Sequence, residues 1–222
     1  SSGGGGGGDN VVTDNMVVYL DAGNNSSYSG SGTSWNDVSG NGNNFTLVNG
    51  PTYSSSDGGA IVFDGTNDFA RSAANASFYA FGTANDYSYG VWAKIDSASN
   101  TESLLSCGTL TGGVTPNSFQ MDFEGTNTRL RHLFRTPGTQ NVQTVPNAGG
   151  IVGTTNWFYA VGVNDRSENE FKIYINGSLV DTAPDSLYRT TDVHNFSSAD
   201  NTDGTFKVGV NRGVDAFIDG RI

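Results

Sequence analysis

Phe171-Lys172-Ile173-Tyr174-Ile175-Asn176-Gly177-Ser178-Leu179-Val180 consists of an alternating run, an Asn-Gly pair and a second apolar run. Alternation at period two sends successive side chains to opposite faces of a half-buried strand. Asn-Gly accepts positive φ at both central positions and favours the type I′ turn, whose twist matches two antiparallel strands. The segment therefore predicts a β-hairpin. Just upstream, Trp157-Phe158-Tyr159-Ala160-Val161-Gly162-Val163 is apolar enough to be a third strand beside it.

The same grammar runs along the rest of the chain. Strands are predicted at Met16–Leu20, Phe45–Val48, Ala60–Phe63, Tyr87–Ile95, Leu104–Cys107, Ser118–Phe123, Arg129–Arg135, Phe206–Val210 and Ala216–Ile222. Between them lie clusters of Gly, Asn, Asp, Ser and Thr, such as the long stretch Asn24–Asn44 and the turn Asn49-Gly50-Pro51. A single short helical turn is expected at Asn75–Phe81. About a dozen short strands with Gly-rich turns indicate an all-β antiparallel sandwich or barrel.

Composition supports this reading. Of 222 residues, 31 are Gly, 11 are Lys or Arg and 22 are Asp or Glu. Only Glu102, Glu124, Glu168 and Glu170 are Glu, and only Lys94, Lys172 and Lys207 are Lys. A helical bundle or parallel α/β fold needs runs of Ala, Leu, Glu and Lys that are missing. The 25 aromatics (13 Phe, 9 Tyr, 3 Trp) can supply a core. No apolar run reaches the ~18 residues of a membrane helix. A net charge of −11 argues against nucleic acid as a partner, because phosphates require Lys and Arg. Residues 1–10 read as a flexible Gly-rich leader or linker, and residues 11–222 as one domain. Ile222 falls within an apolar run, so the chain reads as a piece of something longer.

Val18-Tyr19-Leu20-Asp21-Ala22, Trp35-Asn36-Asp37-Val38-Ser39-Gly40-Asn41-Gly42-Asn43 and Gly59-Ala60-Ile61-Val62-Phe63-Asp64-Gly65-Thr66-Asn67-Asp68 together resemble the laminin-G-like family of the concanavalin A-like lectin/glucanase superfamily. The hairpin of the opening paragraph and the closing segments Phe206-Lys207-Val208-Gly209 and Phe217-Ile218-Asp219-Gly220-Arg221-Ile222 carry the same resemblance. The N-terminal half is similar to laminin-G-like modules of tailed-phage structural proteins. The resemblance implies an antiparallel jelly-roll sandwich of two sheets, a binding role and often a structural Ca²⁺. It further implies a fibre, spike or capsid-decoration module of a virion. The alternatives are a secreted or cell-surface bacterial adhesin or carbohydrate-binding module, and a purely structural virion subunit. Expected partners are a surface polysaccharide or glycan, other virion proteins and a second copy in a homo-oligomer.

Asp21, Asp37, Asn41, Asp64, Asp68 and Asp219 lie in the matching segments and are the candidate Ca²⁺ ligands, since Ca²⁺ takes six to eight oxygens. The competing reading is that they shape tight turns by bonding their own backbone. Zinc is not expected from one Cys and two His, with His132 on a strand face and His194 in a loop. Cys107, in an apolar run, reads as a small core residue. For sugar binding, where rings stack on aromatic faces, the candidates are Tyr28, Trp35, Tyr188 and Arg189. Trp35 could equally pin its own loop to the sandwich, and Trp92 and Trp157 are assigned to the core.

Gln120-Met121-Asp122-Phe123-Glu124 has the period-two spacing of a glycosidase strand, in which paired carboxylates serve as nucleophile and acid. Gln120 stands where the first carboxylate is needed, so the chain is read as non-enzymatic. Arg129, Arg131 and Arg135 form the one basic stripe.

Overall fold

The structure, a computed structural model, describes residues 14–74, 80–82, 85–97, 102–108, 118–123, 130–136, 139–144, 156–184, 194–195, 205–211 and 213–222. In chain order the strands are β1 (Ser34–Trp35), β2 (Phe45–Val48), β3 (Thr52–Ser54), β4 (Ala60–Asp64), β5 (Phe69–Ser72), β6 (Ala80–Gly82), β7 (Tyr87–Ser97), β8 (Glu102–Cys107) and β9 (Ser118–Phe123). They continue with β10 (Leu130–Thr136), β11 (Thr139–Thr144), β12 (Phe158–Asp165), β13 (Glu170–Ile175), β14 (Ser178–Pro184), β15 (His194–Asn195), β16 (Phe206–Val208) and β17 (Asp219–Arg221). One short 3₁₀ turn, Ser56–Gly58, lies between β3 and β4.

An eight-stranded sheet has the order β1-β2-β5-β16-β8-β9-β10-β11, and a seven-stranded sheet has the order β14-β13-β12-β7-β17-β4-β3. β15 and β6 form a separate two-stranded ribbon. Every named strand pair is antiparallel. The two large sheets face each other across a core, the sandwich expected from the sequence.

Alternation builds that core. Along β12 buried and half-buried residues alternate strictly, with Phe158, Ala160 and Asn164 inward. Phe63, Phe119, Phe123, Phe158, Ile61, Ile95, Leu104 and Met121 are the largest fully buried apolar side chains and come from both sheets. Burying such a side chain contributes about 1.5–3 kcal/mol. Cys107 is buried, as expected, and takes part in no disulfide.

Several expectations are corrected. Met16–Leu20 is not a strand: Tyr19 N donates to Asp37 Oδ1 at 2.8 Å and Tyr19 O accepts Val38 N, so its backbone is held by a loop instead of a ladder. Residues 80–82 are a strand, while the rest of the proposed helical turn lies outside the described residues. His194 sits in a ribbon strand, paired with Gly82. β3, β5 and β11 were not foreseen; β3 and β11 are polar edge strands, whose pairing supplies the order that apolar alternation does not.

Candidate functional site

The hairpin β13–β14 turns at Asn176 (φ 50°) and Gly177 (φ 81°), and Asn176 Oδ1 accepts Tyr159 N at 2.9 Å. This ties the hairpin to β12, whose antiparallel ladder with β7 sets Tyr159 opposite Trp92. Val91, Ala93 and Ile95 point into the core, so Gly90, Trp92, Lys94 and Asp96 take the outer face. Trp92 is 58% exposed, which corrects its assignment to the core; Trp157 is half-buried. The Tyr159 ring leans over Gly90, where an added Cβ would lie 2.5 Å from the Tyr159 hydroxyl. Gly90 therefore makes room for the Trp92–Tyr159 stack, with centroids 5.1 Å apart and planes at 26°. Burial raises the Tyr159 phenol above its ordinary value, so it stays a neutral donor.

Around this stack the outer face is graded. Val161, Tyr174 and the 52% exposed Leu179 lie in register beyond Tyr159. In the other direction come Lys94 and, across the register, Arg221, whose Nη1 donates to Asp96 Oδ1 at 2.7 Å. An aromatic surface bordered by a cation and a carboxylate can stack a sugar ring and bond its hydroxyls. The signal for Trp92 was in the sequence: it shares parity with the charged Lys94 and Asp96, not with Val91 and Ala93.

The foreseen binding residues are placed elsewhere. Tyr28 and Trp35 are buried, 3% and 2% exposed, and belong to the core. The Tyr28 ring packs on Tyr53 at 5.6 Å, and its hydroxyl donates to Gly32 O at 2.9 Å. The reading in which Trp35 pins its own loop is the one the structure matches, and neither ring is open to stack a sugar. Tyr188 and Arg189 lie outside the described residues.

The six candidate calcium ligands fall into two separate groups. Asp37 Oδ1 accepts Tyr19 N and Ser39 N, each at 2.8 Å, while Oδ2 accepts Ser39 Oγ at 2.8 Å and Asn43 N at 2.9 Å. Burial pushes its carboxyl up, but these bonds outweigh that and hold it below the usual carboxylate range. Asp21 Oδ1 accepts Gly23 N at 2.9 Å, and Asn41 Nδ2 donates to Met16 O at 2.8 Å. The first shapes its own turn, and the second ties the loop to the backbone of residue 16.

In the second group, Asp64 Oδ1 accepts Thr66 N at 2.9 Å and closes the β4–β5 turn, which lowers its carboxyl. Asp68 is raised by burial and then by the Asp64 charge, and Asp219 by burial and then by Asp96 and Asp64. Among the described residues no three His, Cys, Asp or Glu side chains are gathered as a metal site. The six candidates do not fit a single Ca²⁺ shell.

The glycosidase-like strand β9 carries no free pair either. Asp122 is fully buried, and Arg131 donates to it twice, Nε to Oδ1 at 2.8 Å and Nη2 to Oδ2 at 2.7 Å. Gln120 Nε2 also donates to Asp122 Oδ2. Arg131, part of the basic stripe, is thus an ion-pair partner within its own sheet. Glu124 lies outside the described residues.

Among solved structures, the receptor binding domain of botulinum neurotoxin C/D mosaic serotype superposes with a TM-score of 0.63 at 14% identity, over 94% of this chain and 45% of that one. The chain thus spans under half the length of that domain. The Ruminococcus gnavus IT-sialidase CBM40 bound to α2,6-sialyllactose gives a TM-score of 0.53 at 15% identity, over 73% of this chain and 84% of that one. The botulinum neurotoxin serotype D ligand binding domain in complex with N-acetylneuraminic acid gives 0.57 at 15% identity, over 84% of this chain and 42% of that one. At these identities the likeness is one of fold. No curated protein matches the chain in sequence. A laminin-G-like family model described as the concanavalin A-like lectin/glucanases superfamily matches residues 63–222, from the last residues of β4 through β17. With two antiparallel sheets, and with the Asn-Gly hairpin and the closing strands inside that match, the chain belongs to the laminin-G-like family of the concanavalin A-like lectin/glucanase superfamily.

Proposed function

We propose that the chain is a non-enzymatic glycan-binding module whose contact surface is the outer face of the seven-stranded sheet. The observation that carries this reading is Trp92, 58% exposed at the centre of a large sheet and stacked on Tyr159. An indole held open to water on rigid strands offers a sugar ring a flat apolar face without ordering a loop. Lys94, two residues along on the same face, adds a cation suited to a carboxylated sugar. The fold neighbours bound to sialyllactose and to N-acetylneuraminic acid support this choice of ligand class. The ion-paired Asp122, with Gln120 at the alternate position, supports binding without hydrolysis.

The test is titration of the protein with sialyllactose and with lactose, with and without EDTA, alongside Trp92→Ala. Saturable binding that Trp92→Ala weakens about threefold to tenfold is expected, since aromatic stacking is worth about 0.5–1.5 kcal/mol. Binding unaffected by Trp92→Ala would remove the platform from the reading. Loss of binding in EDTA would reveal a calcium requirement. The proposed setting is the surface of a virion, which rests on the resemblance of the N-terminal half to tailed-phage modules; detection of the protein in purified particles tests it.

A further inference from the structure

Lys94 is an open cation in an acidic protein. On the outer face of β7 it stands between Trp92 and Asp96, half-buried. Directly opposite it on β17 is Arg221, a like charge at a cross-strand position where such pairs are unfavourable. Among the described residues no carboxylate pairs with Lys94 and no hydrogen bond engages its ammonium group. Lys172, on the same outer face, is the contrast, with Asp165 at 2.7 Å and Glu170 at 3.4 Å.

Asp96 is the acid that strand spacing offers to Lys94, and the ladder turns it elsewhere. Gly220 pairs with Ile95 and Asp219 with Ser97, so Asp96 has no residue opposite it and forms a bulge. A bulge re-aims the side chain it carries. Both Asp96 oxygens accept Arg221 Nη1, Oδ1 at 2.7 Å. A planar guanidinium holds a carboxylate in a fixed direction, which an ammonium on a flexible stem does not. Beyond this pair the face turns acidic, with Asp219 opposite Asp64 in the ladder. A ligand's negative group is therefore repelled from the Asp64–Asp219 end and met by Lys94 at the Trp92 end.

We infer that Lys94 is the specificity residue for a sugar carboxylate, and that Arg221 is a positioning residue that keeps Lys94 available by holding Asp96. The ligand class is a sugar bearing one carboxylate, with its ring on Trp92 and its carboxylate at Lys94. A neutral sugar gains the stack alone. This inference rests on the glycan reading of the same face.

The experiment measures the ratio of affinities for sialyllactose and lactose in four full-length proteins: the unaltered chain, Lys94→Met, Arg221→Gln, and Asp96→Asn combined with Arg221→Gln. The unaltered chain should prefer sialyllactose, and Lys94→Met should lower that preference about threefold. Arg221→Gln should lower it as much, because the released Asp96 turns to Lys94. Adding Asp96→Asn should restore it, a rescue that a purely structural role for Arg221 would not give. Lys94→Met leaves the ion pair intact, so it tests the specificity residue whether or not Arg221→Gln folds. A preference unchanged by Lys94→Met, or a loss in Arg221→Gln that Asp96→Asn does not rescue, would overturn the inference; the platform stands if both sugars still bind and Trp92→Ala weakens both. Binding of neither sugar by the unaltered chain would overturn the glycan reading and this inference with it.

Discussion

Asp37 shows how a residue chosen for one role performs another. Its type and its setting, an Asp in a Gly/Asn loop, fit a metal ligand and a turn-former equally. The four hydrogen bonds it accepts decide for the turn, since they tie residues 19, 39 and 43 to one carboxylate. Asp37→Ala should destabilise the fold by about 2–3 kcal/mol, because buried donors lose a charged acceptor. The pH dependence follows from the lowered folded-state value. The Asp37 contribution is complete above the unfolded carboxyl range near 4 and is lost as pH falls through the lower folded value. The Tm gap between Asp37→Ala and the unaltered chain should therefore be widest at neutral pH and close below about pH 4. A constant gap in thermal melts from pH 3 to 7 would contradict this. Trp35 and Trp92 make the complementary pair: the Trp in a polar loop is buried, and the Trp in an apolar strand is exposed. Neighbouring composition left Trp35 between two readings and misled for Trp92, whereas strand parity gives the right side for Trp92.

At the scale of elements, the β13–β14 hairpin is the part most fully legible in the sequence. Alternation set its faces and Asn-Gly set its turn, and both central residues have the positive φ that the turn requires. An added Cβ at Gly177 meets nothing within 4 Å, so the cost of Gly177→Ala is purely one of backbone conformation. It should be about 1 kcal/mol, read as a Tm lower by a few degrees. A loss as large as that of a core truncation would indicate a packing role instead. By contrast, β3 and β11 escape a sequence reading because edge strands need only one partner and no apolar stripe. Met16–Leu20 looks like a strand and is not one, because its backbone groups are claimed by the Asp37 loop.

For the whole molecule, a net charge of −11 with few cations produces general self-repulsion. Several of the available cations are already engaged: Arg131 with Asp122, Arg221 with Asp96, and Lys172 with Asp165, whose carboxyl this lysine lowers to about 2. Raising salt from about 0.01 M to 0.5 M should therefore raise Tm by a few degrees, as screening weakens long-range repulsion more than the close pairs. A fall in Tm over that range would mean that the ion pairs outweigh the repulsion. The same excess of acid leaves Lys94, beside Trp92, as a local cation in an otherwise negative field, so on the proposed glycan reading a small carboxylated sugar is expected to bind better than a long polyanion.

The sequence by itself determined the fold class, most of the strands and the hairpin turn. These depend on local periodicity and backbone preference, which are written residue by residue. It also placed a Gln, which cannot ionise, at the first carboxylate position of the Gln120–Glu124 motif. Only the tertiary structure decided which aromatic reaches water and which backbone groups the Asp37 and Asp64 carboxylates bind. The first of these depends on which distant segment covers a face. Coverage is set by pairing across sheets and by loops that pack from far along the chain, and no local pattern encodes it.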